Sequence, residues 1–203
     1  QTASPTPLPA GGSASATIAA LGTALGTMVA NILHKKNGNE SLETKFSALA
    51  KEGKELINKL LRLCNDDTEA YRQLMNATAL PRETTQEKQL RLENLATAAK
   101  SATEIPLELM KTGVSALRMV IPMAEDGPVS TLADTATGVL ALCAAVRSSA
   151  ITIRANAPLF HDKELISSII NEAIYTENEA IELEKQVLAI VNRRLEEKGI
   201  ITL

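Results

Sequence analysis

The stretch Pro7-Leu8-Pro9-Ala10-Gly11-Gly12-Ser13 runs directly into Ala14–Leu33, and no charged residue occurs from Thr6 to Leu33. Prolines hold the entry extended, Gly11 and Gly12 let the backbone turn where a side chain would clash, and Ser13 is placed to cap the helix that follows. A glycine turn feeding a helix N-terminus leaves N–H groups free to meet an anion or a ring carbonyl. Gly22 and Gly26 lie one turn apart, so a second helix can approach closely. Ile18, Leu21, Leu25, Met28 and Ile32 form the apolar stripe.

About 20 uncharged residues are also the length of a membrane span. Ser15, Thr17, Thr23, Thr27 and Asn31, among many alanines and glycines, weaken the hydropathy and favour a buried core helix instead. No basic segment precedes the apolar run, which argues against a signal peptide.

The 203 residues suffice for one domain with a sizeable core, taken as a single helical unit over residues 1–203. Aromatics make up 2% of the chain and Trp is absent, so the core is aliphatic and lacks stacking platforms for single-stranded nucleic acid. A net charge of -3 gives no basic field, so no nucleic-acid partner is expected. Cys64 and Cys143 fall among apolar helical residues, as free thiols do in a reducing cytoplasm. His34 and His161 share no ligand spacing with either cysteine, and no metal is expected.

After Leu33, His34–Asn39 reads as a loop with Asn37-Gly38 as its turn. A long helix is predicted from about Ser41 to Thr78, with Leu60, Cys64, Asp67, Tyr71 and Leu74 along one seam. Asp67 therefore sits among apolar side chains, either as a hydrogen-bond hub or as a working acid. Thr84 and Glu87 form a capping box for the next helix, which Pro106 should kink and Pro122 with the Glu125-Asp126-Gly127-Pro128 turn should end. Leu95, Ala99, Ala102, Leu109 and Val114 are expected to face inward.

From Val129 to Ala157 the ionisable residues are Asp134, Cys143, Arg147 and Arg154, so this helix is expected at the centre, surrounded by others. Arg147 and Arg154 share a face that Asp134 does not, and each needs a partner from another helix, a second subunit or a ligand. Asp162 caps a last helix that Gly199 stops, with a solvated face carrying Glu172, Glu177, Glu179, Glu182 and Glu184. No segment alternates as a strand would, and the chain reads as an all-α multihelical bundle.

Several stretches together resemble one family. Pro7–Ser13 with Met28-Val29-Ala30-Asn31 is similar to an opening Pro-x-Pro-Gly-Gly-Gly-Ser and Met-Val-Ala-Asn pattern. Asp66-Asp67-Thr68-Glu69-Ala70-Tyr71, Leu80-Pro81, Glu87-Lys88 and Ala102–Leu107 follow in the same order. Asp134, Arg147-Ser148 and Asn156-Ala157 resemble the Ser-Asp, Arg-Ser and Asn-Ala positions. The family is that of methenyltetrahydrofolate cyclohydrolase and the cyclodeaminase domain of formiminotransferase-cyclodeaminase.

The resemblance implies a cytoplasmic, homodimeric enzyme of one-carbon metabolism, with no permanently bound cofactor, no membrane partner and a tetrahydrofolate derivative as substrate. It would act on the N5–N10 bridge, as a hydrolase opening the methenyl form or as a cyclodeaminase, a lyase, closing the formimino form. Asp134 is the first candidate for the catalytic acid, with Asp67 second. Gly11, Gly12 and Ser13 would hold the pterin or the bridge, and Lys35, Arg147 or Arg154 the glutamate tail, with Asn156 beside them. Ala10 stands in place of the first glycine of the loop, Ala133 in place of the serine before Asp134, and Pro128, Ser130 and Thr152 where asparagines are usual. These departures carry the alternative, a non-catalytic helical folate-binding or scaffold relative.

Overall fold

Five long helices carry the chain: α1 Gly11–Lys36, α2 Glu40–Ala79, α3 Thr85–Asp126, α4 Leu132–Asn156 and α5 Lys163–Glu196. Short 3-10 turns, Val129–Thr131 and Ala157–Leu159, flank α4, and no strand occurs among the described residues. The computed structural model describes residues 3, 5, 8–36, 40–160 and 162–199, except for the side chains of Lys35 and Lys36. Pro7, His161, the Asn37-Gly38 turn and the Lys35 side chain, all named above, lie outside the described residues.

The helix starts follow from local chemistry. Thr84 Oγ1 accepts from the Glu87 backbone N–H while the Glu87 carboxylate accepts from the Thr84 N–H at 2.8 Å, the reciprocal box that opens α3. Asp162 Oδ1 accepts from the N–H groups of Glu164 and Leu165 to open α5, and Gly199 beyond its end takes a positive φ of 73°. Pro122 does not end α3. It stays inside the helix with Pro106, and the chain breaks only after Asp126, where the Gly127 N–H closes on the Met123 carbonyl. Likewise α1 does not stop at Leu33 but continues through Lys36.

The bundle is organised on α4, which packs against α1, α3 and α5. α1 and α4 approach backbone to backbone. A methyl group on Gly22 would lie 2.6 Å from the Gly138 carbonyl oxygen, and one on Gly138 would lie 2.8 Å from that of Gly22. Both backbones touch because neither carries a side chain. α1 and the Val129–Leu159 segment are long and apolar enough to cross a membrane. About half of each (56% and 50%) is buried within the bundle, as core helices are.

Two expectations about burial are corrected. α1 turns its small residues inward, Ala16, Ala19, Thr23 and Ala30 being buried, while Leu21 is 62% exposed and Ile18 and Met28 also face out. The glycine contact decides this, since only a small-residue face lets α4 come so near. α4 is not covered all round either, for Leu140 and Ile151 are exposed at 48% and 61%. Elsewhere the inward residues are as expected: Ala99, Leu109 and Val114 are buried, with Leu95 and Ala102 half-buried.

Replacing Gly138 by Val forces α4 off α1. Thermal melts followed by circular dichroism should show a loss at the upper end of the ~1–3 kcal/mol typical of overpacking. The exposed change Thr137→Val should cost far less.

Candidate active site

The α1 N-terminus, the C-terminal half of α2 and the C-terminal end of α4 meet around one carboxylate. Asp67 projects from α2, half-buried, toward the first turn of α1. A Cβ on Gly12 would overlap the Asp67 carboxyl group, so glycine is required there for the approach. The Ser13 hydroxyl donates to Asp67 Oδ2 at 2.7 Å and lies 3.0 Å from Thr68 Oγ1. Ser13 thus does not cap the helix. α1 already begins at Gly11, and the buried Ser13 side chain orients the carboxylate instead. A carboxylate beside a helix N-terminus is favoured by the free N–H groups and the helix dipole.

Beside Asp67 a cavity of 180 Å³ is lined by Gly11, Gly12, Tyr71, Ala102, Thr152 and Asn156, among others. Its α4 wall is held by two contacts. Ser15 Oγ donates to the Gly11 carbonyl at 2.8 Å and lies 2.9 Å from Ser148 Oγ. Pro106 has no N–H to give the carbonyl four residues before it, which is that of Ala102. The Asn156 side-chain amide donates to that carbonyl at 2.8 Å, so the proline's missing bond ties α3 to the end of α4. Asn156 therefore lines the cavity with one amide hydrogen already engaged.

The other expected site residues are not gathered here. Asp134 lies in the first turn of α4, 18 residues before Thr152, or about 27 Å along the helix axis. It is half-buried, with no hydrogen bond or ion pair among the described residues. Arg147 and Arg154 are exposed rather than buried, and both reach Glu177 of α5, with Arg154 Nη1 3.1 Å from Oε2 and Arg147 Nε 3.9 Å from Oε1. They flank α4 on the side away from the cavity. The α5 carboxylates are not simply solvated: Glu172 pairs with Lys111, and Glu179 with Arg118.

Tyr71, Leu74, Ala102 and Thr152 line the cavity without having been singled out as site residues. Tyr71 and Leu74 were within reach, since they continue the Asp67 seam by one and two turns and Tyr71 is among the few aromatics. In the sequence Thr152 is marked only as standing where an asparagine is usual and Ala102 only as an inward-facing residue at the start of a matched motif, because they become site residues through the α3–α4 contact.

Cys143, buried in α4, has its thiol pushed up to about 12, first by burial and then by the neighbouring Glu184 carboxylate. The fold therefore holds a proton that the unfolded chain releases near pH 9.0. This stabilisation is full below pH 9 and is lost as pH rises toward 12. At pH 8 iodoacetamide should leave Cys143 unlabelled until denaturant is added, as peptide mass spectrometry would read. A second expectation concerns Asn156→Ala, which strips the Ala102 carbonyl of its donor. It should lower stability by ~1–3 kcal/mol in urea melts.

Comparison with known proteins gives one answer. Residues 1–174 match the family model described as formiminotransferase-cyclodeaminase. The methenyltetrahydrofolate cyclohydrolase of Methylorubrum extorquens is 30% identical over 170 residues, covering 84% of this chain and 82% of that protein. The formimidoyltransferase-cyclodeaminase of Gallus gallus is 27% identical over 92% of this chain, which spans 34% of that longer protein. The crystal structure of formiminotetrahydrofolate cyclodeaminase from Thermotoga maritima shares the fold, with a TM-score of 0.84 at 22% identity, over 96% of this chain and 93% of that one. The chain belongs to the formiminotransferase-cyclodeaminase family.

Proposed function

We propose that this chain is a soluble tetrahydrofolate enzyme acting on the one-carbon bridge between N5 and N10, as a methenyltetrahydrofolate cyclohydrolase. The observation that carries the reading is the 30% identity to a cyclohydrolase whose length the chain matches over 82%. The site agrees with it. The reaction needs a group that takes a proton from water as oxygen bonds to the bridge carbon. That group then returns a proton to N5 as the carbon–N5 bond breaks, while the new hydroxyl gives its own proton to solvent, leaving the 10-formyl form. A carboxylate oriented by a hydroxyl and set in a partly apolar cavity can do both.

Asp67 is the group so placed. Ser13 fixes its orientation through Oδ2, leaving lone pairs for the transferred proton. Tyr71 lines the cavity and would pack against a pterin there, and the first-turn N–H groups at Gly11 and Gly12 suit a developing negative oxygen. Arg147 and Arg154, already paired with Glu177, would take a glutamate tail only by exchanging that carboxylate for the ligand's.

Cyclodeaminase activity is the second reading, favoured by the whole-chain likeness to the Thermotoga maritima fold. There N10 attacks the formimino carbon, loses its proton and expels ammonia, with the same carboxylate serving as base and then acid. We further infer a homodimer, supported by the uncovered apolar faces of α1 and α4.

One absorbance experiment separates the chemistries, because the methenyl bridge absorbs in the near ultraviolet. The cyclohydrolase consumes that chromophore and the cyclodeaminase creates it. Bleaching of methenyltetrahydrofolate well above the buffer rate is expected. If neither reaction exceeds that rate while folate still binds, the non-catalytic reading replaces this one. Sedimentation velocity at micromolar concentration should give twice the chain mass, and a monomer there would remove the dimer.

A further inference from the structure

One stripe of α4 is left bare by its own subunit. Ala133, Thr137, Leu140, Ala144, Ile151 and Ala155 are all exposed, and they recur at the four-and-three spacing of a helix packed along another helix. None is charged, and Ala144 lies midway between the two ends. Arg147, also on this face, leans to the α5 side through Glu177. The stripe adjoins the exposed Ile18, Leu21 and Met28 of α1, so the bare surface spans two touching helices. An uncharged, largely apolar stripe that continues onto α1 suits a second copy of the same chain, which would cover the stripes of both copies at once.

The flanks of the stripe decide what such a pairing would bring together. On the α1 side lie Gly138 against Gly22, Ser148 against Ser15, and Thr152 and Asn156 on the cavity. At 3.6 residues per turn, Asp134 falls on this same flank, one turn before Gly138. Arg147 and Arg154 occupy the other flank, beside Glu177. A two-fold axis crossing the stripe reverses the direction of the partner's α4 but keeps like flank with like flank. With the axis at Ala144, the partner's Asp134 stands level with Arg154 on the α1 flank, between Thr152 and Asn156.

Two further features point the same way. The cavity at Asp67 holds 180 Å³, below the ~300–1,000 Å³ of ordinary small-molecule sites, as though a wall that lengthens it were missing. Asp134 is half-buried yet without a partner among the described residues of its own chain. We propose that two copies pair α4 against α4 in antiparallel register about Ala144. Each copy then lends its Asp134 to the cavity formed by Gly12, Asp67, Tyr71, Thr152 and Asn156 of the other. This deepens the folate reading and rests on it and on the homodimer. The shared site has two carboxylates on opposite walls, Asp67 carrying the proton from the attacking water to the departing nitrogen and Asp134 facing the bridge from the other side.

The test is complementation between subunits. Asp67→Asn and Asp134→Asn homodimers should each lose about 100-fold or more in turnover. Dimers that hold one chain of each kind, isolated by two affinity tags after co-expression, carry one intact site and one doubly altered site. They should recover about half the wild-type rate per dimer, following from one intact site of two. Mixed dimers no faster than their parents overturn the proposal, as does full activity in either parent.

Crosslinking reads the register without any folate chemistry. Under mild oxidation Ala144→Cys, and separately the double variant Asp134→Cys with Thr152→Cys, should give a disulfide-linked two-chain species. The wild type and Glu93→Cys on the far part of α3 should not. A sedimenting dimer that forms neither crosslink overturns this pairing while the homodimer stands, and a monomer overturns both. Crosslinks in a protein with no folate turnover uphold the pairing and remove only the assigned reaction.

Discussion

The backbone contact of Gly22 with Gly138 is the constraint on which the rest of the molecule depends. Two helices that touch along glycine can cross in only one register, because any shift brings a side chain against a carbonyl oxygen. That register runs α1 antiparallel to α4. It places Ser15 beside Ser148 and the first turn of α1 beside the last turns of α4. The site is built at that end, where the free N–H groups of α1 meet the Asp67 carboxylate. The glycines that open α1 and those further along it thus do different work. Gly12 admits the carboxylate, whereas Gly22 sets where α1 lies when it does so.

A second dependence runs through Pro106. Inside a long helix a proline costs a hydrogen bond and leaves a carbonyl bare. Here the bare oxygen of Ala102 is met by Asn156, and the bond crosses from α3 to the end of α4 at the edge of the cavity. A local defect in one helix is thereby turned into a tie between two, at the point where the α4 wall of the site would otherwise fray. The same logic appears at the opposite end of α3, where Arg194 Nη1 donates to the Ala124 carbonyl at 2.8 Å and binds α5 to the last turn.

How much of this was legible depended on range. Local signals read well: the capping box at Thr84, the Asp162 cap, the stop at Gly199 and the seam that carries Asp67 all follow from residues within a turn of one another. The all-α class followed from the same periodicities. The direction in which α1 faces did not, because its large residues make the conspicuous stripe and its small ones make the contact. Close packing of backbone on backbone outweighed the burial of Leu21 within this subunit. Arg147 and Arg154 were read as buried charges since their helix is apolar. Their true partner, Glu177, lies on another helix and gives no signal in the α4 sequence.

The inversion on α1 and α4 also explains why the site residues seemed scattered. On α1 Ile18, Leu21 and Met28, and on α4 Leu140 and Ile151, stay exposed while Leu33, Val139, Leu142 and Ile153 are buried. The exposed ones contribute to the hydrophobic effect only when another surface removes them from water. In the proposed homodimer that burial comes on association, and the residues on the flanks of the bare stripe would acquire neighbours at that stage. Asp134 is such a residue. Within one chain it is a half-buried carboxylate at a helix start, with neither donor nor cation beside it among the described residues. It lies outside the cavity at Asp67 of its own chain. Asp134 thus gains a place beside the cavity only through the proposed pairing, whereas the Ser13 hydroxyl already orients Asp67 within the single chain.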